Sequence, residues 1–423
     1  MSNEQENYRK IERYEHEHQE LRTEINGLRL LLEEERSARE AADRESKNKA
    51  HFVAVLSHEI RNPLNGIIAM SDLLQDTELT EEQENYLEII QSSNHSLLEL
   101  VNGILDMSRL EAGRMTVSHN PFDLINTVED LIYMLAPRAF AKNVEVILNV
   151  ESEIPLFVVG DVLKVRQIFL NLMQNAIKFT HEGEIVFELK RIPSLKSDGI
   201  SVSFAIHDTG IGMSEEQSGR IFDVYTQVHE SSQHTYEGSG LGMTITKNLV
   251  ELLGGTIEVS SEPGRGTSIE IMLSFDRYTD LPSIPFEDDV LEGMRFLVVD
   301  QQATSRSTIV GMLEGWGAHA ESAAEMEEDL VERVGMGAFD VVFIDGSTLK
   351  RGEIFSNLQQ IPDLNLFLLA WLGEKIEEGE RSFFRSIIPK PIRKLHMLNA
   401  ILAMEKNDRS AGRDHDRDPE RGL

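Results

Sequence analysis

The chain has 423 residues, with 41 Lys and Arg against 73 Asp and Glu, for a formal charge of −32. So acidic a surface repels polyanions and argues against a general role on nucleic acid or anionic membranes. No cysteine is present, which excludes a disulfide framework, a thiolate metal site and a Cys nucleophile.

Typical domain sizes divide this length into roughly two to three domains. At 40% hydrophobic residues the chain can bury real cores. No apolar run approaches the about 18 residues of a membrane helix, and Met1 opens a polar, charged stretch. The expectation is a soluble, cytoplasmic protein without a membrane span.

Residues 1–50 carry Ile11, Tyr14, His18, Leu21, Ile25, Leu28 and Leu32 at alternating three- and four-residue steps. That is a heptad seam, and it predicts an N-terminal coiled coil. The register weakens through Glu35, Arg39, Ala42, Ser46 and Lys49. It recovers at Val53, Leu56, Ile60, Pro63, Ile67, Met70 and Leu74. Residues 51–114 read as an antiparallel helical hairpin. The first helix ends near Gln75, and Thr80-Glu81-Glu82-Gln83 is a capping box for the second. The second helix carries Leu87, Ile90, Asn94, Leu97, Val101 and Ile104. Two helices cannot bury both stripes alone, so a homodimeric four-helix bundle is expected.

Residues 120–275 mix strand patterns (Val144–Val150, Glu184–Leu189, Ser201–His207, Thr256–Ser260, Thr267–Leu273) with helices over Asn126–Ala141 and Asp161–Phe179. An α/β sandwich follows. Residues 276–293, with Pro282, Pro285 and six acids, read as a linker. Residues 294–405 alternate strand and helix, and Arg295–Val299, Asp340–Ile344 and Leu366–Ala370 suit buried parallel strands. The tail over 406–423 is charged and poor in apolar residues, and is expected to be disordered.

Three constellations carry chemistry. In the heptad register His58 falls at f, the outermost position, where an imidazole is offered to solvent or to another domain. Glu59 beside it can take a proton from one ring nitrogen and leave the other as a nucleophile. Pro63 removes a helix hydrogen bond and should kink the helix. Second, Asn171, Asn175 and Lys178 lie along one face of a helix, and two amide oxygens with an ammonium suit Mg²⁺ and phosphate. Asp208-Thr209-Gly210-Ile211-Gly212 follows a strand, where a carboxylate can accept from an exocyclic amine. Gly238-Ser239-Gly240-Leu241-Gly242 opens a helix, whose N–H groups hold phosphate. Third, Asp300 and Asp345 stand at the ends of candidate strands, and Lys390 lies in Pro389-Lys390-Pro391.

His58-Glu59-Ile60-Arg61-Asn62-Pro63 resembles the phosphoacceptor box of bacterial sensor histidine kinases. Asn171–Lys178 resembles their asparagine box, Asp208–Gly212 and Gly238–Gly242 their glycine boxes, and Arg220-Ile221-Phe222 the box between them. The resemblance covers roughly residues 45–275. It implies a phosphotransfer domain over 51–114 and an ATP-binding domain of the Bergerat (GHKL) type over 120–275. It further implies that His58 is autophosphorylated by Mg·ATP with help from Glu59, and that Asn62 positions water when the enzyme acts as a phosphatase. Asp208 and Thr267 would hold adenine, and Arg220 is a candidate γ-phosphate contact. Mg²⁺ would sit at Asn171 and Asn175. A response regulator or phosphotransfer protein would receive the phosphate, and the input would be an upstream protein or ligand. The lid, Thr226–Glu237, departs from the family in lacking a basic pair, with His234 and Thr235 in its place.

Residues 294–405 resemble, less closely, a response-regulator receiver domain, a doubly wound flavodoxin-like fold. Asp345 would be its acceptor, Asp300 an acid of the metal site and Lys390 the phosphate partner. Gln301 stands where the family has a second acid, and the switch position, usually Thr or Ser, is Leu372 or Ala370, neither with a hydroxyl. A degenerate, regulatory receiver is expected. The alternative for the whole chain is an ATP-binding pseudo-kinase that acts as a scaffold.

Overall fold

The computed structural model describes residues 53–414 apart from 54, 58, 114, 152–153, 195–198, 224–225, 227–239, 279–288, 350–356, 363 and 377, together with scattered residues before 53. The expected coiled coil over 1–50 and His58 thus fall, wholly or nearly so, outside the described residues. The chain divides into two units, residues 1–116 with 235–241, and residues 117–234 with 242–423.

The first unit is a helical hairpin. Its first arm, α1, is helical through 59–75, and its second, α2, spans Glu81–Glu111. The expected capping box is present: Thr80 Oγ1 accepts from Gln83 N, and Gln83 Oε1 accepts from Thr80 N. Arg61 donates to Asn102 Oδ1 at 2.9 Å, and Gln91 donates to Asp72 and Gln75, so the arms run antiparallel. Burial follows a seven-residue beat: Ser57, Leu64 and Ser71 on one arm, Leu87, Asn94 and Val101 on the other. On α2 this line is part of the expected stripe, but on α1 it is not the heptad seam. Leu56, Ile60, Ile67, Met70 and Leu74 stay exposed, as do Ile90 and Leu97. Gly113, at φ +62°, follows the C-cap Ala112 and stops α2 in the left-handed conformation.

The second unit holds two α/β domains. In the first, strands β1 (Asn120–Asp123), β2 (Val144–Val150), β3 (Phe157–Gly160), β4 (Gly183–Ile192), β5 (Gly199–Asp208), β6 (Thr256–Glu262) and β7 (Gly266–Arg277) make one mixed sheet. Its order is β1-β3-β7-β5-β4-β2, with β6 on β7; β2 and β4 are parallel, the other pairs antiparallel. Helices α3 (Leu124–Phe140), α4 (Val162–Phe179) and α6 (Gly242–Leu252) pack together, while α5 (Glu215–Arg220) is a single short turn. Leu124, Ile132, Ile168, Met173, Phe187 and Phe204 are fully buried between helices and sheet. Asp161 caps α4, and the bonds from Lys164 and Ser118 outweigh burial and hold its carboxyl down at about 2.

The C-terminal domain is a five-stranded parallel sheet of β8 (Arg295–Val299), β9 (His319–Ala323), β10 (Val341–Asp345), β11 (Leu366–Trp371) and β12 (Ser386–Lys390). The order β9-β8-β10-β11-β12 is that of the doubly wound flavodoxin-like fold. Helices α7 (Ala303–Glu314), α8 (Glu328–Gly335), α9 (Gly346–Leu349), α10 (Glu378–Arg381) and α11 (Lys394–Asp414) connect and follow the strands. Buried side chains form two clusters, one around Phe296, Phe343, Phe367 and Trp316, the other around Leu297, Val342, Ile344 and Leu368.

Two boundaries differ from the reading of the sequence. The linker expected over 276–293 is shorter, because β7 pairs through Arg277 and Leu291 is buried in the C-terminal core. The tail expected to be disordered from 406 begins as helix, since α11 continues to Asp414.

Candidate functional site

On the hairpin, Glu59 and Asn62 are exposed, while Ser57 is buried. The candidate base and amide thus lie on the open side of α1.

In the second unit, α4 presents Asn171, Asn175 and Lys178, each half-buried, beside a fully buried stripe. Asn171 Nδ2 donates to Gly242 O at 3.3 Å and Thr246 Oγ1 at 3.4 Å, and Thr246 Oγ1 itself donates to Gly242 O. The asparagine face and the last glycine of the second box are therefore tied together. With Nδ2 engaged, Oδ1 of Asn171 is presented as an acceptor, the donor type that a hard cation takes. Lys142 Nζ donates to the carbonyls of Ile177 and Lys178 and closes the C-terminal end of α4.

Asp208 ends β5, paired with Thr267 on β7. Its Oδ1 accepts from Gly210 N at 2.9 Å and Thr267 N at 3.3 Å. Burial pushes its carboxyl above the usual range, against the pull of those two bonds. Oδ2 carries neither bond and is the acceptor left for a ligand amine. Three glycines are required here. A Cβ on Gly210 would stand 2.5 Å from Phe179 O, and one on Gly266 (φ +91°) would stand 1.8 Å from Asp208 O. Gly212, at φ +65°, is equally confined against Glu262 O. Thr267 Oγ1 is bonded to Ser261 Oγ, which also bonds Met213 N and Gly266 O. Ser261 therefore organises the first glycine box, a role that no local pattern around it signals.

Arg220 ends α5, exposed, with Nε 3.6 Å from Asp223 Oδ2. Phe222 beyond it is fastened to α6, since Thr244 Oγ1 donates to its carbonyl and Lys247 lies over its ring. Gly240 has φ +66°, and α6 starts at Gly242. Gly238 lies outside the described residues.

The third constellation comes together as expected, and gains a member. Lys390 Nζ lies 2.6 Å from Asp300 Oδ2 and 2.6 Å from Asp345 Oδ2, at the carboxyl ends of the parallel strands. It also lies 2.8 Å from Glu145 Oε1, on β2 of the other domain. All four side chains are at most 7% exposed. Burial alone would lower the ammonium's pKa, but the three carboxylates overcome it and raise it. Glu145 is raised by burial, with Lys390 pulling the other way. Asp300 is further bonded by Gln302 N and Ser305 Oγ, and Asp345 by Ser347 N and Oγ. Neither Ala370, which is buried, nor Leu372 brings a hydroxyl.

Around this cluster the two domains are joined by further contacts. Arg393 donates to Asp130 Oδ1 at 2.9 Å and lies 3.9 Å over the Tyr133 ring. Phe140 stacks on Trp371 with ring centroids 5.1 Å apart. Thr304 Oγ1 donates to Glu184 Oε1 at 2.7 Å, and the main chain of Glu184 is doubly bonded to Thr209.

A sheet of this topology with its Asp-Gly box, preceded by a capped helical hairpin, defines a class: a phosphoacceptor helix module followed by an ATPase domain. Residues 48–113 match the His Kinase A (phospho-acceptor) domain, and residues 160–277 match the histidine kinase-, DNA gyrase B- and HSP90-like ATPase. The sensor histidine kinase GacS of Pseudomonas protegens is 39% identical over 298 residues, which cover 70% of this chain and 31% of that protein. The autoinducer 2 sensor kinase/phosphatase LuxQ of Vibrio cholerae is 30% identical over 392 residues, covering 89% and 45% respectively. The crystal structure of full-length ShkA in complex with AMPPNP is similar at a TM-score of 0.65 and 27% identity, covering 83% of this chain and 71% of that one. The chain thus carries a His Kinase A (phospho-acceptor) domain and a histidine kinase-like ATPase domain, and is similar to sensor histidine kinases. It spans less than half the length of the curated relatives it matches. No described helix is long and apolar enough to cross a membrane.

Proposed function

We propose that this chain is a protein histidine kinase that moves the γ-phosphoryl group of ATP to His58. An imidazole nitrogen of His58 attacks the γ-phosphorus, the bond to the leaving ADP oxygen breaks, and the ring proton passes to Glu59. Most of the work in such a transfer is positioning and charge neutralisation. Asp208 Oδ2 would accept from the adenine amine, Thr267 and Gly210 would hold Asp208 in place, and Lys178 would meet phosphate. Asn171 and Asn175 would hold Mg²⁺, which offsets phosphate charge when bound. The supporting observation is the Asp208 cradle, where Cβ atoms at Gly210 and Gly266 would collide with the protein's own backbone.

The exposed a/d line of α1 supports a homodimer, in which a second hairpin covers Leu56, Ile60, Ile67 and Met70. The phosphoryl group would pass to a response regulator or phosphotransfer protein, with the C-terminal domain as a receiver-like regulatory module. Asn62 would position water in a phosphatase reaction. A second reading, an ATP-binding scaffold, draws on the pairing of Arg220 with Asp223.

Labelled ATP tests both. Wild-type chain with Mg²⁺ is expected to gain acid-labile, alkali-stable label that EDTA prevents and His58→Ala abolishes. Label that persists in His58→Ala would refute the site. Nucleotide binding without label at saturating Mg·ATP would favour the scaffold.

A further inference from the structure

Lys390 is the charge partner that a phosphoryl-sized anion at Asp345 would need. Among the described residues it is already surrounded by three carboxylates, one of them from a different domain. One ammonium against three carboxylates leaves the corner with more negative than positive charge, in a site closed to water. A further anion beside Asp345 would meet Glu145 Oε1 on the same Nζ, with no second buried cation among the described residues to share. Glu145 belongs to the ATP-binding domain, so the contact can be broken only by parting the two domains locally. The surrounding contacts are of the kind that survive or fail together. Arg393 meets Asp130 and Tyr133, and Phe140 stacks on Trp371.

We propose that Glu145 is an internal occupant of the receiver-like corner, holding the C-terminal domain against the ATP-binding domain. The docked form and a form loaded at Asp345 with a phosphoryl-sized anion and a divalent cation then exclude one another. The inference rests on the receiver-like reading of the C-terminal domain and not on the kinase reading. Neither test below uses ATP or His58, so the two readings fail separately.

The full chain supplies its own reporter, because it has two tryptophans. Trp316 is buried in the C-terminal core, and Trp371 is half-buried and stacked on Phe140 across the domain contact. With 5-fluorotryptophan incorporated, Glu145→Lys is expected to shift the Trp371 fluorine resonance and at least double its quenching by acrylamide, leaving Trp316 unmoved. Glu258→Lys, on the exposed face of β6, is expected to change neither. Should Glu145→Lys disturb Trp316, the isosteric Glu145→Gln is read with the same two outcomes. A Trp371 as protected as in wild type overturns the docking role of Glu145. In the second arm, beryllium fluoride with Mg²⁺ is titrated calorimetrically into both chains. Binding at least tenfold tighter to Glu145→Gln, with release of Trp371, is expected. Equal affinity, or no uptake by either chain, overturns the exclusion.

Discussion

Asp208 performs two tasks with two oxygens, and a single isosteric change separates them. Oδ1 holds Gly210 N and Thr267 N, which fixes the turn after β5 and its rung with β7. Oδ2 is the acceptor proposed for the adenine amine. In Asp208→Asn the amide oxygen can keep the Oδ1 bonds, while an NH₂ replaces Oδ2. The fold is retained, and a donor now faces a donor. A hydrogen bond to a charged acceptor contributes about 1.5–3 kcal/mol, so ATP affinity should fall by roughly 10- to 150-fold. The same NH₂ can donate to the 6-oxygen of inosine triphosphate. The preference for ATP over ITP should therefore shrink or reverse, which loss of structure could not produce. Calorimetric titration of both nucleotides, with melting curves of both proteins, reads every part of this. An unchanged ATP:ITP ratio in a folded Asp208→Asn protein would refute the assignment of Oδ2.

Two further outcomes follow from the same geometry. Gly266→Ala puts a Cβ 1.8 Å from Asp208 O at φ +91°, and should cost about 3 kcal/mol or more and abolish nucleotide binding. Gly264→Ala, also at positive φ but with nothing near its Cβ, should cost only about 1 kcal/mol, and equal melting losses would contradict the steric argument. Burial raises Glu129 to about 7, against the pull of Arg393. Between the ordinary carboxylate pKa and that value the folded chain keeps a proton that the unfolded chain has released. Stability therefore falls as pH rises through this window and is level above it. Discounted for solvent screening, the term is about 2 kcal/mol, so Glu129→Gln should flatten the denaturation midpoint between pH 5 and pH 8 by that amount. Parallel curves for the two proteins would remove Glu129 as the cause.

The parts of this fold that were legible are those where one physical rule acts alone. Val144–Val150 and Arg295–Val299 are strands to the residue, the first marked by its alternation and the second by a short apolar run that suits a strand buried on both faces. The four-residue strands β1 and β3 were not anticipated, being too short to show a period. Asp340 was read into β10, yet the strand starts at Val341, and Asp340 instead pairs with Arg295 outside the ladder. The Asp208 box and the Asn171 face were readable because glycine spacing and helical spacing carry them. Glu145 was not. A single acid in Val144-Glu145-Val146 looks like ordinary strand alternation, and nothing local says that its partner lies 245 positions on. The one available signal was the single acid of that strand.

Glu184 is where the proposed adenine contact and the C-terminal domain come within one residue of each other. Its main chain is laced to Thr209, next to Asp208, while its side chain takes the Thr304 hydroxyl at the start of α7. Whatever pull α7 exerts on that strand end, a bound purine must return in equal measure, since coupling between two occupancies is symmetric in free energy. The proposed purine site and the C-terminal domain are thus neighbours in an energetic sense, though Glu184 and Thr304 lie 120 residues apart in sequence.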